Sequence, residues 1–318
     1  MRIVVLDGFS VDQGELAWDE LKKLGDVQVY PRTLPHEIVE RAAGALAVLT
    51  NKVLLTRDVL AALPEVRYIG IVATGTNVVD FAPCRTRGIA VTHAPAYCAH
   101  AVAQFVFAAL LHRLENLAPY VEEVKANRWA RAPDYCFFLH RHIELAEKTI
   151  AILGLGNIGR KVADIARAFG MNVVAGAVPG GATEDRVPLE VALREADVVS
   201  LHCPLTDLTR GFVDRKFLEA MKPDAILVNT SRGALIDEGA LLDALSRGRP
   251  AAVLLDVLGE EPPPLDHPLL DARAAWAGRV FVTPHIAWGK VEARQRLIRL
   301  VAENLAAFLR GERKNRVD

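Results

Sequence analysis

The stretch Gly154-Leu155-Gly156-Asn157-Ile158-Gly159 constrains the fold more than any other in this chain. It follows the apolar run 149–153 and leads into a segment with apolar residues at Ile158, Val162, Ile165 and Phe169. That spacing predicts a strand, a tight turn and an amphipathic helix in succession. The three glycines serve different ends. Gly154 permits the turn, Gly156 lets the backbone approach a pyrophosphate, and Gly159 lets helix and strand pack closely. The helix N-terminus adds orphan N–H groups and a positive dipole end, which suit phosphate oxygens.

Around this turn, apolar strand-like runs alternate with helical segments, the pattern of an α/β chain with parallel sheets. Strands are expected at residues 149–153, 172–175, 198–202, 225–229, 252–256 and 280–283, enough for a doubly wound, Rossmann-type nucleotide-binding domain. An earlier series at 3–6, 27–30, 46–49, 68–72 and 90–92 makes a smaller five-stranded, flavodoxin-like domain. Its helices are expected at 15–24, 35–43 and 57–63. A length of 318 residues accommodates two such domains. The helical stretch 290–309 has no further strand to support and is expected to return to the first domain. The expected division is therefore a discontinuous substrate domain, 1–97 with 288–318, and a dinucleotide-binding domain, 98–287. A cleft between two such domains is a usual place for a small-molecule site.

Residues 118–143 fit neither series. Trp129, Tyr135, Phe137 and Phe138 among many charges suggest a subunit interface, the alternative being a long loop packed on its own domain. The apolar stretch 101–111, interrupted by Gln104, reads as a buried or interface helix and is too short to span a bilayer. A formal net charge of −1 offers no footprint for nucleic acid or an anionic membrane. The first residues lack the long apolar run of a secretory signal. Cys84, Cys98, Cys136 and Cys203 have no metal-like spacing and read as reduced thiols of a cytoplasmic protein, with no metal site.

The acid that usually holds an adenosine ribose should stand about 20 residues beyond the glycine turn, at the end of the next strand. Ala177 occupies that place, in Gly176-Ala177-Val178-Pro179-Gly180-Gly181. Nothing there accepts a ribose hydroxyl, and no neighbouring base attracts a 2′-phosphate; Arg186 is the nearest. The cofactor is therefore NAD or NADP, with the choice open.

Three later strands end in ionisable residues: Asn229-Thr230-Ser231-Arg232, Asp256-Val257-Leu258-Gly259-Glu260-Glu261, and Thr283-Pro284-His285. Doubly wound domains place their sites at the carboxyl ends of strands, so Arg232, Glu261 and His285 can converge. Singly, each has an ordinary structural explanation. Together they suit reduction of a 2-oxo acid: a planar guanidinium for the carboxylate and carbonyl, an imidazole as proton donor, and a carboxylate to orient the imidazole. Hydride would come from a nicotinamide.

With these residues in place, the chain resembles the D-isomer-specific 2-hydroxyacid dehydrogenase family over essentially its whole length. The segments 154–159, 200–206, 221–223, 229–238, 256–262 and 283–288 carry the likeness. Thr50-Asn51-Lys52, 73–77, 134–138 and 285–288 are most similar to glycerate dehydrogenase and hydroxypyruvate reductase-like members. The resemblance implies Arg232 for substrate binding and polarisation, His285 as acid/base and Glu261 as its partner. It implies that Thr74, Gly75 and Thr76 present backbone N–H groups to the substrate carboxylate; Lys52 either adds a second positive charge or is a solvated lysine. Cofactor contacts are implied at Asn157 and Ile158 for the pyrophosphate, Cys203 and Pro204 for the adenosine, and Thr209. Thr230, Ser231, Arg232, Asp256 and His285 would line the nicotinamide end, with Val102 nearby. A homodimer through 100–145 is also implied. The activity implied first is reduction of hydroxypyruvate or glyoxylate; a D-lactate-type dehydrogenase or a nucleotide-sensing corepressor stays open.

Overall fold

The structure, a computed structural model, describes residues 1–318 and divides into two compact units, 1–98 with 288–318, and 99–287. Both are built on wholly parallel sheets.

In the first unit, β1 (Arg2–Val5), β2 (Asp26–Val29), β3 (Ala47–Thr50), β4 (Tyr68–Ile71) and β5 (Ala90–Thr92) lie in the order β2-β1-β3-β4-β5. β3, β4 and β5 are buried at every position, as strands covered on both faces must be. The helices are α1 (Asp19–Lys22), α2 (Ile38–Ala42), α3 (Arg57–Ala61) and α4 (Phe81–Arg87). The first is much shorter than the expected 15–24. The Asp12 carboxylate accepts the N–H groups of Gly14 (2.8 Å) and Leu16 (2.9 Å), and Gly14 is left-handed at φ +97°. That local turn takes the backbone donors an earlier helix start would use.

The last helix, which becomes α11 (Val291–Leu309) in chain order, belongs to this unit. Phe308 packs on Tyr68 of β4 at 5.1 Å between ring centroids. Arg294 is nearly buried, yet it donates to the carbonyls of Val11 and Gly289 (both 3.1 Å) and the Glu15 carboxylate (2.6 Å). A buried guanidinium is tolerated only when its donors are met in this way.

The second unit opens with α5 (Ala99–Glu115), which contains the expected 101–111 and extends it. Asn116, left-handed at φ +38°, ends it, and α6 (Leu117–Lys125) follows. This helix lies in a stretch where no element was expected. Its exposed charges hide the apolar spacing, and Pro119 is tolerated because it stands in the first turn. After it, β6 (Thr149–Leu153), α7 (Asn157–Ala168), β7 (Asn172–Gly176), α8 (Leu189–Glu195), β8 (Val198–Leu201) and α9 (Arg215–Ala220) alternate. The series ends with β9 (Ile226–Asn229), α10 (Glu238–Ser246), β10 (Ala252–Leu255) and β11 (Val280–Val282).

The sheet order is β11-β10-β9-β8-β6-β7. Beyond β7 only a single parallel bridge, Gly176 to Val187, extends the sheet. The connection carries Pro179, Gly180, Gly181 and Pro188, which break any longer strand. At the opposite strand ends, Asp197 accepts the N–H of Thr149 (2.8 Å) and pairs with Lys222 (2.9 Å). Burial alone would raise the Asp197 carboxyl, but Lys222 and the Thr149 N–H outweigh it and hold it below its ordinary value. This gives Lys222 of the Met-Lys-Pro motif a physical role, in the seam of β6, β8 and β9. No helix is long and apolar enough to cross a membrane.

Candidate active site

The glycine turn packs as its spacing requires. Gly154 is left-handed at φ +105°, and a Cβ there would stand 2.4 Å from the Cys203 amide nitrogen. A Cβ on Gly159 would reach 2.1 Å from the Gly154 carbonyl oxygen. Gly156 differs: a Cβ there would meet nothing within 4 Å, so its open face is kept clear. Gly156 is the N-cap of α7, and no side chain caps the amides that follow, those of Asn157 and Ile158 among them. Twelve helical residues stand behind these free donors, enough for a useful dipole. Thr230 adds a buried Oγ1 with no partner in the chain. Open space over a glycine, uncapped amides and an orphaned hydroxyl at the next strand ends fit a dinucleotide.

Ala177 directly follows β7, and its N–H donates to the Val187 carbonyl (2.9 Å). Cys203 is buried, and burial pushes its thiol up to about 11; its carbonyl accepts the Ser231 hydroxyl (2.7 Å), and Pro204 beside it is exposed. Thr209 is less available than expected. Its hydroxyl donates to the Pro204 carbonyl (2.7 Å) and accepts the Thr206 N–H (2.8 Å), so its polar capacity is spent inside one turn. Val102 is buried on α5.

Arg232, Glu261 and His285 follow β9, β10 and β11, three neighbouring strands, and therefore leave the same edge of the sheet. His285 Nδ1 lies 2.6 Å from Glu261 Oε2, with the two side chains 25% and 33% exposed. They are accessible to a ligand and shielded enough for the contact to count. The other carboxylate oxygen, Glu261 Oε1, accepts the Leu258 N–H (3.1 Å). Around Arg232, the buried Asn229 side chain accepts the Ser231 N–H (3.0 Å) and donates to the Arg232 carbonyl (2.8 Å). The guanidinium donates to the Ser231 carbonyl (2.7 Å). A Cβ on Gly233 would stand 1.9 Å from the Leu258 carbonyl, so the Arg232 turn lies directly on the Glu261 loop. Glu238 of α10 ties that loop down further, accepting the Gly259 N–H (2.8 Å) and pairing with His267 (3.2 Å).

Asp256, expected at the nicotinamide end, has partners of its own within the chain. Oδ1 accepts the Thr283 hydroxyl (2.6 Å) and the Ile286 N–H (2.9 Å), and Oδ2 accepts the Ala287 N–H (2.8 Å). The His285 N–H donates to the carbonyls of Asp256 and Thr283 (both 2.9 Å). These bonds hold His285 at φ +54°, a left-handed conformation that a non-glycine residue adopts only when its surroundings impose it. Burial raises the Asp256 carboxyl above its ordinary value, against the pull of Thr283 and the two amides. The sequence signal for this positioning role was the acid closing β10; its target could not be read.

The expected substrate-binding residues lie in the first unit. The Asp7 carboxylate at the end of β1 accepts the N–H groups of Asn51 (2.8 Å), Lys52 (2.5 Å) and Val53 (3.0 Å), which fixes the Lys52 turn. Sequence reasoning missed Asp7. The Thr74 hydroxyl donates to the Ala94 carbonyl (2.9 Å), its carbonyl bonds His93 Nδ1 (2.9 Å), and the Thr76 carbonyl accepts the Val79 N–H (3.4 Å). Gly75 stands between these anchored threonines.

The family model described as D-isomer specific 2-hydroxyacid dehydrogenase, NAD binding domain, matches residues 107–287. A hydroxypyruvate reductase of Blautia hydrogenotrophica is 39% identical over the whole of both chains. A glycerate dehydrogenase of Methylorubrum extorquens is 37% identical over 89% of each. The crystal structure of the TT0316 protein of Thermus thermophilus superposes with a TM-score of 0.83 at 34% identity, covering all of both chains. The chain therefore belongs to the D-isomer specific 2-hydroxyacid dehydrogenase family and is an NAD(P)-dependent oxidoreductase of 2-hydroxy acids.

Proposed function

We propose that this protein reduces hydroxypyruvate or glyoxylate to the corresponding 2-hydroxy acid, and runs in reverse as a glycerate dehydrogenase. The observation that carries the reading is the 2.6 Å contact of His285 Nδ1 with Glu261, with Arg232 at the next strand end but one. The hydroxypyruvate reductase and glycerate dehydrogenase relatives support the choice of substrate.

A nicotinamide dinucleotide held at 154–159 would supply the hydride for C2 of the oxo acid, or accept it in reverse. Arg232 binds the substrate carboxylate and polarises the C2 carbonyl, since a guanidinium can offer two parallel donors. Glu261 accepts the Nδ1 proton of His285, which leaves Nε2 as the atom that gives a proton to the C2 oxygen. In the oxidation direction the same Nε2 takes that proton back, so the imidazole alternates between acid and base. Asp256, proposed to line the nicotinamide end, also positions His285 by gripping Ile286 and Ala287. Thr74, Gly75, Thr76 and Lys52 are proposed to recognise the carboxylate, which makes 1–97 with 288–318 the substrate domain. Gly154, Gly156, Asn157, Ile158 and Gly159 are proposed to hold the pyrophosphate, within a dinucleotide-binding domain of residues 98–287.

The test is turnover with both cofactors against hydroxypyruvate, glyoxylate and pyruvate. The expected result is oxidation of NADH or NADPH with the first two at higher kcat/KM than with pyruvate. A preference for pyruvate would move the assignment to a D-lactate-type enzyme, and no turnover with any of the three would overturn the proposed substrates.

The proposal includes a homodimer through residues 100–145. Tyr135 is 89% exposed and Phe138 74%, with Leu117, Val121 and Trp129 also exposed on the same segment, an apolar surface of the kind a partner covers. Sedimentation at micromolar concentration should give twice the mass of the chain; a monomer would count against this assembly. A cytoplasmic location is also proposed, in keeping with four cysteines that form no disulfide.

A further inference from the structure

We propose that Asp207, rather than any residue at the end of β7, reads the adenosine ribose and makes the chain prefer NAD to NADP. The inference rests on the reading of 154–159 as the pyrophosphate turn.

The sheet order decides where the two halves of a dinucleotide must run. β6, which delivers that turn, lies between β7 on one side and β8 on the other. Arg232, Glu261 and His285 follow β9, β10 and β11, all on the β8 side. The nicotinamide half therefore runs toward β8 and beyond, and the adenosine half is left on the β7 side. A cavity of about 300 Å³ lies there, between the loops that follow β7 and β8. Val178, Gly180 and Gly181 form one wall, and Pro204, Asp207 and Leu208 the other.

The chemistry of that lining is one-sided. No lysine or arginine contributes to it. Arg186, the first basic residue after β7, donates to the carbonyls of Glu184 (3.4 Å) and Asp185 (3.1 Å). The two walls also approach closely: Gly180 is left-handed at φ +68°, and a Cβ on it would stand 2.7 Å from Leu208 Cδ1. Asp207 is the one charged residue in the lining, and its carboxylate has no partner within the chain. A free carboxylate accepts hydrogen bonds from a ribose diol. It also opposes a 2′-phosphate, whose charge would be brought against it with no cation to neutralise either. Ala177 thus leaves the usual position empty of charge, and Asp207 supplies the acid from the facing loop.

The test uses ligands that lack nicotinamide, so its readout is binding and not turnover. Calorimetric titration of the full protein with ADP-ribose and with 2′-phospho-ADP-ribose should show the first bound roughly tenfold more tightly or better near 0.01 M salt. The preference should shrink near 1 M salt, where the Debye length falls to about 3 Å. Asp207→Asn should narrow the ratio to within about threefold, chiefly by improving the phosphorylated ligand, and Asp207→Lys should reverse it. Equal affinities in the wild type, or a ratio that neither substitution changes, would overturn the role of Asp207 while leaving the pyrophosphate turn intact. If neither ligand binds, the dinucleotide reading itself fails and Asp207 with it.

Discussion

His285→Ala is expected to lower kcat by roughly two to four orders of magnitude, the usual span of general acid–base catalysis. That corresponds to about 3–5 kcal/mol of lost transition-state stabilisation. Cofactor affinity should fall far less than kcat, because the proposed pyrophosphate turn at 154–159 is built without His285. Glu261→Gln serves as the companion variant. It keeps a hydrogen-bonding partner for Nδ1 but replaces the carboxylate, 2.6 Å away in the wild type, by a neutral amide. Its kcat should fall less than that of His285→Ala. Near-wild-type turnover in His285→Ala, with hydroxypyruvate at saturation, would remove the imidazole from the mechanism.

The second large effect is expected at Gly233, a residue with no chemistry of its own. A methyl group there would be placed 1.9 Å from the carbonyl carbon and oxygen of Leu258 and 2.4 Å from the amide nitrogen of Gly259. All of these contacts are backbone, so no rotamer change relieves them. Gly233→Ala should therefore force apart the turn carrying Arg232 and the loop carrying Glu261. Overpacking of this severity costs about 3 kcal/mol or more. For a unit of this size that is a fall of roughly 6–12 °C in Tm. Where the protein still folds, a misplacement of about 1 Å between the two groups should lower kcat/KM by about a hundredfold. Gly156→Ala is the internal control, since a Cβ there meets nothing within 4 Å of protein. It should leave Tm unchanged and weaken cofactor binding. A Gly233→Ala protein with unaltered Tm and kcat/KM would show that the two loops are not in register as described.

These two residues mark different limits of what can be read from residues alone. Arg232, Glu261 and His285 were legible because each ends an apolar run at a place where a doubly wound sheet opens its site. Gly233 carried no such mark: its importance comes from the distant backbone of Leu258, brought against it only by the packing of β9 beside β10. Asp256 was legible as a polar strand end but not in its hold on the chain around His285. Its two oxygens hold the Thr283, Ile286 and Ala287 groups, and nothing in the local pattern foretold that His285 would be left-handed. Asp7 and its hold on residues 51–53 escaped for the same reason, the partners being more than 40 positions apart.

What the sequence determined by itself was whatever depends on short-range periodicity: the alternation of strand and helix, the glycine turn, and the strand ends that carry ionisable side chains. Its misjudgements were local competitions, as at α1, where the Asp12 turn takes the backbone donors, and at α6, where surface charge masks the apolar spacing. Tertiary structure alone decided the order of the strands, and with it which loops face one another. That order puts β7 and β8 on either side of the glycine turn, and so gives the residues after β8 a voice in recognising the ribose. A chain position without an acid at Ala177 says nothing about an acid at Asp207, because their proximity is made by sheet pairing and not by spacing along the sequence.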